Sequence, residues 1–257
     1  MTKRKLKLNK GNIIALILIV ICLVVFIYSL INIIFWYRSN KKNNEIKDKL
    51  QESIVIDDNK EDIEEDKYKI DFDTLKSQNN ETIGYLKINN TNVDYIVTQA
   101  KNNDYYLNHN FNKEWNRSGW IFADYRNKLD GTDTNIIIYG HNIKDGSMFG
   151  SLHNTLNKEW YSNKDNLDIV FVDENKTNIY RIVSIYTINR EDAFMPVSFK
   201  SNDEYEKFIK QIKSKSIHNF DTEITTDDKL LTLSTCTGNG TRRVIIHSKL
   251  IRKITTN

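Results

Sequence analysis

Lys229-Leu-Leu-Thr-Leu-Ser-Thr-Cys236 is an apolar, β-type run that ends on a thiol. Seven residues later Arg243 heads a second such run, Val244-Ile-Ile-His-Ser-Lys-Leu250. Between them lies Thr237-Gly-Asn-Gly-Thr241, whose glycines predict a flexible, exposed loop. A cysteine at a strand-to-loop edge is accessible, and accessibility is what a nucleophile needs. Far upstream, Asn135-Ile-Ile-Ile138 leads into Tyr139-Gly-His141-Asn142, an imidazole at another strand-to-loop edge. A thiol, an imidazole and a guanidinium at strand ends are the parts of a cysteine acyl-transfer site.

Further runs of the same kind extend the pattern to eight: 83–88, 93–98, 120–123, 135–139, 167–172, 179–188, 230–235 and 244–251. They are short, β-branched and separated by Asn, Asp, Gly and Lys turns, which predicts a barrel or sandwich. One amphipathic helix interrupts them. Tyr205, Phe208, Ile209 and Ile212 recur at helical spacing, with Asn202 or Asp203 as the expected cap. Shorter helices are expected around Asn103–Leu107 and Met148–His153.

The chain has 257 residues, a net charge of +3 and only two cysteines, Cys22 and Cys236. Its 37 basic and 34 acidic residues nearly balance, which gives no case for nucleic-acid binding. Cys22 lies in an apolar segment, so Cys236 has no intramolecular partner, and neither a disulfide framework nor a Cys-rich metal site is possible. Of the five histidines, His141 is the better partner for the thiol, because His247 lies inside a strand-like run. Arg242 and Arg243 are adjacent on a strand, where successive side chains point to opposite faces, so only one can face Cys236.

Ile13 to Tyr37 is a 25-residue uncharged stretch, long enough to span a bilayer with tilt. Trp36 and Tyr37 stand at its outer end, and Lys3, Arg4, Lys5, Lys7 and Lys10 precede it. The bias of positive charge puts the N-terminus inside. The expected division is a basic cytoplasmic tail over 1–12, a transmembrane anchor over 13–37, a charged linker or short helix over 38–67 and a catalytic domain over 68–257. That places the catalytic domain outside the cell membrane on a single-pass anchor.

Thr232-Leu-Ser-Thr-Cys236 followed by an arginine resembles the signature of sortases, the surface transpeptidases of Gram-positive bacteria. Tyr139-Gly-His-Asn-Ile-Lys-Asp-Gly-Ser-Met-Phe149 is similar to the segment around the class B histidine. Ile121-Phe-Ala-Asp-Tyr-Arg-Asn127 and Tyr106-Leu-Asn-His109 also look like class B, and the helix before the cysteine strand fits the class B insertion. The resemblance implies a mainly β fold: an eight-stranded sortase-type barrel with N-terminal helices and an inserted helix. It implies Cys236 as nucleophile, His141 as acid/base and Arg243 as the oxyanion-steadying arginine. It places Asn103, Leu107, Tyr139, Ser234 and Thr235 near the substrate groove. The implied partners are a sorting-signal peptide of secreted proteins, of the Asn-Pro-X-Thr or a related type, and an amine of the peptidoglycan cross-bridge or its lipid-linked precursor. No metal or organic cofactor is indicated. A pilin-polymerising sortase, a membrane-anchored cysteine endopeptidase and a non-catalytic surface module stay open as alternatives.

Overall fold

The computed structural model describes residues 10–57, 67–193, 195–236 and 242–255, the side chains of Arg190 and Cys236 excepted. The expected 237–241 loop lies outside the described residues. In chain order the elements are α1 (Lys10–Gln51), β1 (Ile54–Ile56), β2 (Tyr68–Ile70), α2 (Phe72–Gln78), β3 (Thr82–Ile88), β4 (Asp94–Thr98), β5 (Phe122–Ala123), β6 (Asn135–His141), α3 (Lys158–Ser162), β7 (Asp168–Asp173), β8 (Lys176–Asn189), α4 (Asn202–Lys215), β9 (Leu230–Cys236) and β10 (Arg242–Thr255).

Strands β3 to β10 close into a barrel in the order β10-β8-β7-β3-β4-β5-β6-β9. Closure leaves no unpaired edge for another chain to extend. The barrel is mixed: β6 runs parallel to β9, and β4 runs parallel to β5, while the other pairs are antiparallel. Alternation along each strand then sorts the apolar residues. Ile138, Leu231, Leu233 and Ile246 pack into the interior with Leu86, Ile88 and Phe122. Their neighbours Ile137, Leu230 and Ile245 face outward and are covered by Tyr205, Phe208, Ile209 and Ile212 of α4. The helical spacing read from the sequence is therefore the stripe that roofs one outer face of the barrel.

All eight expected strands form, with shifted ends. β8 and β10 run to 14 residues each, because pairing continues through Lys176, Lys253 and Thr255 where the sequence turns polar. β5 shrinks to Phe122–Ala123, since the Trp120 amide donates to the Tyr106 carbonyl rather than to a ladder. The cap of α4 is Ser201, whose hydroxyl accepts from the Glu204 amide, so Asn202 and Asp203 fall inside the first turn. The two expected short helices are 3-10 turns, Tyr105–Leu107 and Gly150–Leu156.

The N-terminal helix is the larger departure. α1 is unbroken from Lys10 to Gln51 and carries the apolar stretch and the first part of the charged segment on one axis. Asn40, Asn43, Ile46 and Leu50 are buried on one stripe of it. The Asn43 amide donates to the Gly119 carbonyl at 2.9 Å, and the Asn40 amide to Asp145 at 2.7 Å. Residues 38–51 thus pack on the domain, even though their composition reads as solvated.

Candidate active site

β6 and β9 end together. Their parallel register runs from Asn135↔Leu230 to His141↔Cys236, so the imidazole-bearing and thiol-bearing residues are paired at the last rung. Paired residues share a face of the sheet. Counting by twos from Ile137 and Leu230, both positions belong to the outer face, the one α4 covers further down. The antiparallel pair β9–β10 includes Ile245↔Ser234. Stepping that register on by two residues brings Arg243 level with Cys236, on the other side from His141.

Local sequence explains how His141 is held. A Cβ at Gly140 would stand 2.7 Å from Cγ of Phe149, so only glycine lets the 142–149 loop fold back on the strand. The Phe149 amide donates to the His141 carbonyl at 2.9 Å. Asp145 accepts from the Ser147 amide and hydroxyl, and from Asn40 of α1. Met148 takes a positive φ, and its amide donates to the Tyr95 hydroxyl. The imidazole Nε2 lies 2.7 Å from the Leu107 carbonyl oxygen. A carbonyl only accepts, so Nε2 carries the proton and Nδ1 is left as the base.

The two arginines separate as strand alternation requires. Arg242 is exposed and donates to the Thr187 hydroxyl at 2.8 Å. Arg243 is half-buried, pairs with Ile188 on the outer face, and its buried Nε has no hydrogen-bond partner among the described residues. A buried guanidinium donor without an acceptor is costly, and a substrate oxygen would satisfy it.

The remaining expected residues fall around this rung. Tyr139 pairs with Ser234 one step below, on the same outer face. Ser234 is buried and its hydroxyl has no hydrogen-bond partner among the described residues. Thr235 alternates to the interior face with Leu231 and Leu233, so what it can offer the groove is its backbone. Leu107 lends its carbonyl to His141, and Asn103 accepts the Tyr125 amide through Oδ1 at 2.9 Å. His247 lies far from this rung. It is fully buried under α4, between the Tyr186 hydroxyl at 3.0 Å and the Thr232 hydroxyl at 2.8 Å.

Two residues of the site had no role assigned from sequence. Asp124 is completely buried and accepts from Arg126 through Nε and Nη2, from the Arg126 amide and from the Tyr139 hydroxyl at 2.9 Å. Burial by itself raises its carboxyl, but these donors outweigh that and hold it below the usual carboxylate range. Burial, and then the Asp124 charge, push the Tyr139 phenol well above its ordinary value, so it stays protonated and donating. The network fixes Tyr139 beside Ser234. A charged pair right after a short apolar run, as in Phe122-Ala-Asp-Tyr-Arg126, was the available signal.

The described arrangement is a closed barrel on which the ends of β6 and β9 meet in register, with the arginine-bearing strand β10 beside β9 and α4 covering the outer face. A family model for the sortase domain matches residues 86–251. Sortase B of Staphylococcus aureus is 30% identical over 92% of this chain and 95% of that protein, and sortase B of Listeria monocytogenes is 34% identical over 70% and 73%. The crystal structure of sortase B from Bacillus anthracis in complex with AAEK1 superposes with a TM-score of 0.73 at 31% identity, covering 84% of this chain and 99% of that one. The chain belongs to the sortase family, in its class B branch. As a member it is a cysteine transpeptidase that acts on sorting-signal substrates and amine nucleophiles.

Proposed function

We propose that Cys236, His141 and Arg243 carry the transpeptidation. The observation that supports this most is the shared last rung of β6 and β9, with the buried Nε of Arg243, unpartnered among the described residues, on the neighbouring strand. Nδ1 of His141 takes the Cys236 thiol proton, the resulting thiolate attacks the carbonyl carbon of the Thr in a sorting signal, and the oxygen gains charge as the tetrahedral intermediate forms. Arg243 donates to that oxygen. The leaving amine takes a proton from His141 as the C–N bond breaks, and the acyl group stays on sulfur as a thioester. An incoming amine then loses its proton to His141, attacks the thioester and frees the thiolate, which takes that proton back from the imidazolium. Using an amine rather than water conserves the acyl bond. Tyr139, Ser234, Asn103, Leu107 and the backbone at Thr235 line the peptide's path.

The substrate class in this reading is the Asn-Pro-X-Thr or a related signal on secreted proteins. The acceptor is an amine of the peptidoglycan cross-bridge or its lipid-linked precursor. α1 is long and apolar enough to cross a membrane. In the proposed topology residues 1–12 are cytoplasmic, 13–37 span the bilayer, 38–67 lead outward and 68–257 act on the outer surface.

The test is mass spectrometry of the full chain in detergent micelles with Asn-Pro-X-Thr peptides, with and without triglycine. The expected products are a thioester on Cys236 and, with triglycine, a peptide joined through its Thr. Cys236→Ala should remove both while leaving the thermal melt unchanged. An acyl-enzyme that persists in that variant would overturn the assignment.

A further inference from the structure

The apolar part of α1 and the domain overlap along the helix axis. Arg117, on the loop before β5, reaches Asn32 of α1, its Nη1 lying 3.4 Å from Oδ1. Asn32 sits inside the uncharged stretch, and beyond it Ile33, Phe35 and Tyr37 are still exposed. From Ile13 to Ile31 the helix measures about 28 Å at about 1.5 Å per residue, close to the ~30 Å core of a bilayer. If that segment fills the core, Arg117 stands at the level of the lipid headgroups.

The loop is rigidly tied to the helix. Asn116 donates to the Ser39 carbonyl at 3.0 Å, Ser118 donates to the Asn40 side chain, and Asn43 donates to the Gly119 carbonyl. Trp115 of the same loop is 65% exposed, a large aromatic ring turned mostly to solvent. Glu114 is the loop's acidic residue and pairs with Lys42 at 2.7 Å, and Lys113 pairs with Glu81, so among the described residues of this loop the charge outside an ion pair is the exposed Arg117 guanidinium. An exposed tryptophan two residues from an exposed arginine that reaches a membrane helix matches the interfacial zone, where rings sit among headgroups and cations meet phosphates.

We propose that the 112–117 loop rests on the phospholipid surface, with Trp115 in the interface and Arg117 on lipid phosphates. The inference rests on the reading of the 13–37 stretch as a membrane span, with 13–31 in the hydrocarbon and 32–37 in the outer interface. Its consequence is a fixed orientation of the groove. The same loop region carries the Leu107 carbonyl that holds His141, so the catalytic rung stands one loop away from the bilayer.

The experiment uses the full chain in vesicles of phosphatidylcholine and phosphatidylglycerol, with lipids brominated near the headgroup end of the acyl chains. Trp120 and Trp160 are buried, so quenching of tryptophan emission reports Trp36 and Trp115. Wild type and Trp115→Phe should both float with the vesicles, and the variant should keep only the Trp36 share of the quenching. Arg117→Glu should float equally and lose quenching at Trp115, more in vesicles with phosphatidylglycerol than in neutral ones. Flotation with equal quenching of wild type and Trp115→Phe overturns the loop contact and leaves the anchor standing. Chains that neither float nor quench overturn the anchor, and the loop contact with it.

Discussion

The Leu107 carbonyl accepts the Nε2 proton of His141 across 34 residues of chain, at 2.7 Å. It orients the imidazole with Nδ1 free, as a general acid/base needs a fixed tautomer. His141→Ala should therefore lose about 10² to 10⁴ in kcat/KM on a sorting peptide. His247→Ala should keep substantial activity at a temperature where it is folded, because that ring serves the contact under α4. Equal losses in the two variants would show that the imidazole is misassigned.

Arg243→Lys should lose about 10²-fold or more in kcat/KM if the guanidinium serves the oxyanion, since an ammonium cannot aim two donors in one plane. Arg242→Lys should be close to wild type, its contact being the Thr187 hydroxyl on the neighbouring strand. Both are measured on one peptide with thermal melts as the folding control. A crippled Arg242→Lys would put the register of β10 one residue away from the pairing described here.

α1 yields a prediction in two parts. Removing residues 1–37 should leave kcat/KM on a soluble peptide unchanged, because no group on that stretch reaches the catalytic rung among the described residues. Asn43→Ala should instead destabilise the domain, since it leaves the buried Gly119 carbonyl without its donor. A loss of about 1–3 kcal/mol is expected for an orphaned buried group. It would appear as a melting point lower by about 2–10 °C. A melt unchanged by Asn43→Ala would mean the docked helix contributes nothing to the fold.

Strands and roof helix were legible because their side chains alternate between two buried faces or recur at helical spacing, as in Leu230–Cys236 and Tyr205–Ile212. Cys236, His141 and Arg243 were legible as strand-end polar groups, and the last was singled out by resemblance as well as alternation. The docking of residues 38–51 was not. Ile46 and Leu50 give it a short apolar stripe, but its first polar contacts are made by Asn40 and Asn43, and a buried asparagine looks like a solvated one until its partner is placed. Nor was the Asp124–Arg126–Tyr139 network, whose function depends on a strand pairing, Phe122↔Tyr139, that links residues distant in sequence.

His247 supplies a pH dependence with a definite sign. Burial, and then the charge of Lys215, push its imidazole down from 6.5 to about 3 in the folded protein. The ring is neutral where it bonds Tyr186 and Thr232, and protonating it would bury a charge with no carboxylate partner among the described residues. A depressed folded value means the unfolded chain binds the proton first as pH falls. The stabilisation is therefore complete above the unfolded value of 6.5 and is lost progressively as pH falls from there toward about 3. The limiting slope for one such group is about 1.4 kcal/mol per pH unit. Urea unfolding of wild type between about pH 7.5 and pH 5 should show midpoints falling with pH. His247→Gln, which cannot titrate, should start less stable at neutral pH and show a shallower fall. Parallel curves for the two proteins would mean that His247 takes up its proton in the folded state, and that the space under α4 is open to water.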